Sequence, residues 1–167
     1  MRTALMIAAA ILSTAAWAER EHERDRGRDM PATTNAKWKA ECSSCHMAYP
    51  PALLPERSWR KLMGGLDRHF GENAGLDAAT AAEITSFLAA NAADRNGGRR
   101  GAKMMTGIGS PDVPLRITET PYFRRKHREV NPAVFKRAAI ASPANCAACH
   151  AGAESGSFSE HDVRIPR

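Results

Sequence analysis

All four cysteines of the chain lie in two copies of one pattern, Cys42-Ser43-Ser44-Cys45-His46 and Cys146-Ala147-Ala148-Cys149-His150. Two residues between the cysteines put both sulfurs on one helical turn, and the histidine that follows projects from the same side. That arrangement suits the attachment of a c-type haem: each sulfur forms a thioether with one vinyl group, and the imidazole takes the iron. A four-cysteine zinc site, a pair of disulfides or a thioredoxin-like thiol pair also uses spaced cysteines. None of these explains a histidine directly after the second cysteine, twice over. The pattern predicts two covalently bound haem c groups, held by Cys42, Cys45, Cys146 and Cys149, with His46 and His150 as proximal iron ligands.

Composition agrees with a chain that folds around something other than its own side chains. Aromatic residues are 6% of 167 and mean hydropathy is −0.43, so the side chains alone offer a thin core. The hydrophobic content of 43% still excludes wholesale disorder. No run approaches the roughly 20 apolar residues of a membrane helix, so no span is expected in the mature chain. Residues 1–18 read as a cleaved secretory signal, with Arg2, a short apolar stretch over 4–16 and Ala16-Trp17-Ala18 as the cleavage site. Export places the mature chain in the periplasm and makes nucleic acid an unsuitable partner for its net charge, +6 over the whole chain and +5 once Arg2 leaves with the signal. An acidic protein surface or haem propionates match that charge better.

The expected fold is mainly α, two small haem-binding helical modules of the c-type cytochrome kind with much loop. Residues 1–18 form the signal, 19–30 a charged leader, 31–95 the first haem module, 96–102 a Gly/Arg linker and 103–167 the second haem module. In the first module Lys37-Trp38-Lys39 leads a helix into the haem motif, and Pro50-Pro51 stop it. Pro55 suits the first turn of the next helix. Trp59, Leu62, Met63, Leu66, His69 and Phe70 follow at spacings of three and four, which predicts one apolar helix face. Asp77 is placed to cap a third helix with Ala81, Ile84 and Leu88 on one side. Asn131-Pro132 is placed to open a helix through Val134, Phe135 and Ala138. No strand alternation is present.

Each iron has a second axial position, and its occupant separates an electron carrier from a catalyst. His22, His69, His127 and His161 remain for it, with Met30, Met47, Met63, Met104 and Met105 as thioether candidates. His69 stands on the predicted apolar face, and Met63 shares that face and competes. Met47 follows His46 directly and cannot reach across the haem plane. His127 sits in Tyr122-Phe123-Arg124-Arg125-Lys126-His127-Arg128, either facing the second iron or lying on a solvated basic surface. Met104-Met105 in a Gly-rich loop is its alternative. Arg124, Arg125, Lys126 and Arg128 suit haem propionates, an acidic partner or plain solvent. His161 and His22 lie in polar segments and read as solvent-facing.

Taken together, these residues resemble the bacterial dihaem cytochrome c family. The resemblance rests on Glu41 to Pro51 around the first motif, Leu53-Leu54-Pro55, Ser58-Trp59, Leu66 and His69-Phe70-Gly71. It continues through Arg116-Ile117-Thr118, His127, and the tail from Cys146 through Gly156 to Pro166. It implies two low-spin haems with two histidine ligands each, His46 with His69 and His150 with His127. It implies a periplasmic electron carrier and not an enzyme. Its partners would be a small oxygen-binding monohaem cytochrome, the sphaeroides haem protein, and a membrane cytochrome b. The stretch from 97 to 105 matches nothing in that pattern. A dihaem electron-transfer subunit of a periplasmic reductase, such as nitrate reductase, is the nearest rival, but the long gap between the motifs counts against it. A haem enzyme needs one open iron, and here each iron has a spare histidine.

Overall fold

A computed structural model of the chain describes residues 30–31 and 33–167. The signal and the leader as far as residue 29 lie outside the described residues. Among these, five helices are joined by 3₁₀ turns and loops, with no strand. They are α1 (Ala36–Cys42), α2 (Glu56–Met63), α3 (Ala78–Ala90), α4 (Gly98–Met104) and α5 (Pro121–Lys126). No described helix is long and apolar enough to cross a membrane.

Local chemistry explains where the helices begin. The Asn35 side chain accepts from the Trp38 N–H at 2.8 Å and caps α1. Pro55 precedes α2, where its fixed φ is already suited to a helix and its missing N–H costs nothing. Asp77 accepts from the N–H groups of Ala79 and Thr80, each at 3.0 Å, and caps α3. α2 and α3 pack against each other, and α1 leans on α3. Their apolar sides meet in a core of Trp38, Leu54, Trp59, Ile84, Leu88 and Ala92. Burying Leu54, Ile84 and Leu88 contributes roughly 2 kcal/mol each. The Trp59 indole N–H is satisfied by the Pro51 carbonyl at 2.7 Å, so the ring is buried without an orphaned donor.

A second core gathers Met30, Ala52, Leu53, Ala93, Met104 and Tyr122. Tyr49 and Ile117 pack against both cores. Met30, at the end of the predicted leader, is thus a core residue and 3% exposed.

Four local expectations are corrected. The segment read as a linker folds as α4 and packs on the Pro51–Leu53 turn and on α5. The reason is close approach: a Cβ on Gly101 would lie 2.6 Å from the Ala93 carbonyl oxygen, and one on Gly97 2.7 Å from the Ala93 Cα. The glycines there serve contact rather than looseness. Second, the helix predicted to carry His69 ends at Met63. Gly64 caps it, Leu66–Arg68 forms a 3₁₀ turn, and His69 follows outside any helix. Third, Asn131 caps through the Ala133 N–H as expected, but Pro132–Lys136 is a 3₁₀ turn and not an α-helix. In addition, α1 stops at Cys42, well before Pro50-Pro51.

Candidate haem sites

The first site is built from the end of α1 and the segment after α2. The His46 Nδ1 lies 2.7 Å from the Met47 carbonyl. A carbonyl can only accept, so Nδ1 donates, and in the neutral ring the Nε2 lone pair is left available. Tyr49 stacks on the His46 ring with centroids 4.8 Å apart. Facing His46 is His69, with ring centroids 6.2 Å apart and planes 30° from parallel.

A tight turn presents His69. The Glu72 N–H donates to the His69 carbonyl at 3.1 Å, while Phe70 and Gly71 both take positive φ, 54° and 107°. Two consecutive positive φ values belong to the mirror-image type I′ turn, natural for glycine and strained for a bulky aromatic. Phe70 is held there from two sides. Its ring lies 4.8 Å from His69, and the Arg116 guanidinium sits 4.0 Å over its face. Burial, followed by the nearby His46 and Arg116 charges, pushes the His69 pKa below its ordinary value. Its Nδ1 is buried with no hydrogen-bond partner among the described residues.

The second site repeats the logic with different parts. The His127 Nδ1 donates to the Phe123 carbonyl at 2.9 Å, again leaving Nε2 available, and the ring stacks on Phe123 at 3.9 Å. His150 faces it with centroids 6.1 Å apart and planes at 74°. Phe158 lies 5.5 Å from His150. The chain end is tied to this motif by a bridge between His150 and Val163 and by the Arg164 N–H on the Cys149 carbonyl at 3.0 Å. A cavity of about 180 Å³ opens between these groups, walled by Phe123, Phe135, Ile140 and Phe158 and reached by both cysteines.

These residues fit haem. Imidazoles facing one metal from opposite sides, each with a nitrogen about 2 Å away, have centroids about 6 Å apart. Both facing pairs have that separation. The four thiols are free, and burial pushes those of Cys42 and Cys146 up to about 11. A reactive redox thiol needs the opposite shift. Among the described residues no group of three or more His, Cys, Asp or Glu gathers as a zinc site requires.

The other candidates are placed as follows in the fold. Met63 packs against the first core, Met105 packs against the second, and Met104 and Met30 belong to it and also line the cavity. Met47 stays beside His46, His161 is exposed, and His22 lies outside the described residues. Of the basic run, Lys126 lines the cavity and Arg124, Arg125 and Arg128 do not. Sequence reasoning gave Tyr49 and Phe158 no role at a site, because they are scattered singly and show no periodicity, and it set Phe135 on a helix face rather than on the wall of the second cavity.

No curated protein matches the sequence, but the family model for dihaem cytochrome c matches residues 38–158. Three solved structures are similar over nearly their whole length. A diheme cytochrome c from Rhodobacter sphaeroides is 51% identical with a TM-score of 0.69, over 76% of this chain and 98% of that one. A second structure from the same organism is 49% identical with a TM-score of 0.62, over 77% and 100%. A diheme cytochrome type c from Shewanella baltica is 38% identical with a TM-score of 0.66, over 79% and 93%. The family match extends across both haem motifs and the helices between them, and the chain belongs to the dihaem cytochrome c family.

Proposed function

We propose that this cytochrome relays single electrons in the periplasm, with both irons held by two histidines. Cys42 and Cys45 would hold one haem and Cys146 and Cys149 the other, with His46 and His69 on the first iron and His150 and His127 on the second. The observation that carries this reading is the pair of facing imidazoles at each motif, 6.2 and 6.1 Å between centroids. When bound, each haem supplies a one-electron iron couple. The protein's part is to keep two strong nitrogen donors in place, which leaves no position for a substrate and favours a lower potential than a histidine–methionine pair. In His46 and His127 a main-chain carbonyl fixes the ring's proton and orientation, the usual support for a ligating imidazole.

The signal-like residues 1–18 support the periplasm, and family membership supports electron transfer. The partners proposed are a membrane cytochrome b on one side and a small oxygen-binding monohaem cytochrome on the other. The net charge of +5 that remains without the signal's Arg2 suits an acidic docking face. The test is His69→Met with a redox titration. The first haem's midpoint should rise and the second stay in place. An unchanged titration of both haems would return His69 to a packing role.

A further inference from the structure

The Gly/Arg-rich stretch from 97 to 105, read from sequence as a linker, folds as the helix that closes one side of the second cavity. Gly97 and Gly101 press α4 onto the Ala93 backbone, which fixes where Arg100 and Met104 point. Both line the cavity. The charged side chains in that lining are Arg100, Lys126 and Glu160, and the rest is predominantly apolar. Arg100 Nη1 donates to the Tyr122 hydroxyl at 2.6 Å, and Tyr122 is itself buried and lines the cavity. Lys126 is paired with Glu160. The cavity therefore has an apolar body and one charged rim, and the rim already accommodates a carboxylate.

We infer that this rim, Arg100 with Tyr122 and Lys126, receives the propionates of the second haem, with Arg100 as the principal partner. The inference rests on the second site being a haem site. Haem is a flat apolar ring whose two carboxylates lie on the edge away from its vinyl groups. Cys146 and Cys149 claim the vinyl edge, so the carboxylates must go elsewhere in the cavity. A carboxylate taken out of water needs a hydrogen-bonded cation. Arg100 offers a planar fork suited to paired oxygens, from a helix that cannot shift without Ala93. The Tyr122 hydroxyl, accepting from Arg100, keeps its own proton to donate. Lys126, a single compact charge, is paired with Glu160, a carboxylate that the Arg100 charge also reaches, and lacks the planar fork.

Reduction adds one negative charge at the haem, so a cation on the rim stabilises the reduced form. Arg100→Gln removes the charge and nearly keeps the shape. In the intact two-haem protein it should lower the second haem's midpoint, the one that His69→Met leaves in place, and leave the first unmoved. It should also shift the propionate bands of the resonance Raman spectrum. Arg100→Lys should recover most of the midpoint. Glu160→Gln, which leaves α4 untouched, should raise the same midpoint by removing the carboxylate that Lys126 and Arg100 both face, and it decides the matter if Arg100→Gln does not fold. Unmoved midpoints in these variants, or equal shifts at both haems, would overturn the inference while leaving the site intact. A wild-type protein with one haem per chain, or without a low-spin second haem, would instead overturn the reading of the site.

Discussion

The phenolic hydroxyl of Tyr49 donates a 2.7 Å hydrogen bond to the carbonyl of Ala144, 95 residues further along the chain. The same ring stacks on His46, and the Cys146 thiol lies 3.5 Å from the same carbonyl. One side chain thus ties the two haem attachment segments together. Burial pushes the Tyr49 phenol up to about 12, so it stays protonated and able to donate at neutral pH.

Tyr49→Phe should keep the stack on His46 and lose the bond to Ala144. The expected cost is about 1 kcal/mol, seen as a lower urea midpoint of the holoprotein with an unchanged slope. A wild-type midpoint would show that the bond contributes nothing net.

Gly101→Ala forces a methyl group against the Ala93 carbonyl oxygen, with backbone on both sides of the contact. Overpacking of this kind costs roughly 1–3 kcal/mol, measurable by urea or thermal unfolding. If the displaced helix carries Arg100 with it, the second haem's midpoint should move as well.

Covalent attachment is testable by stoichiometry. The denatured protein should keep two haems per chain, and the double variant Cys42→Ala, Cys45→Ala should keep one. Retention of both after that change would refute the assignment.

With the proposed ligation, two histidine donors on each iron, the reduced protein at neutral pH should take up little carbon monoxide quickly. Where binding does develop, the second haem should be the weaker point, because His127 follows a short helix that ends in three cations. Prompt uptake of one equivalent per chain would favour an open iron and a gas-binding or catalytic role.

Asp77 gives the acid dependence of α3. The Thr80 backbone N–H is the main cause holding its carboxyl below the ordinary 3.8, with the Ala79 N–H and Lys37 adding to it. A depressed folded-state pKa means that this contribution is complete above about pH 4 and is lost as pH falls through the lower folded value. Asp77→Asn should retain a cap and flatten that part of the acid unfolding curve. An identical acid limb in the variant would count against the cap as its source.

Several features were legible because they depend on neighbours in sequence. Both haem motifs are five residues long, and their chemistry needs no knowledge of the fold. The caps at Asp77 and Asn131 likewise use donors two or three residues away. The helix predicted to reach His69 failed for a related reason. Spacings of three and four persist whether the chain continues as a helix or turns after Gly64, so the pattern could not locate the break.

Tertiary structure decided the rest. Spacing left His69 and Met63 both available to face His46; the turn at Phe70 and Gly71 brings His69 opposite it and leaves Met63 packed beside Trp59. Nothing local marks residues 97–104 as a helix, because their glycines are explained by the Ala93 backbone they touch. The sequence by itself determined where the two haem-attachment motifs lie, since each is a matter of adjacent side chains. Which histidines face one another, and which cation reaches the second cavity, depend on contacts such as Tyr49 with Ala144 that form only when distant segments pack.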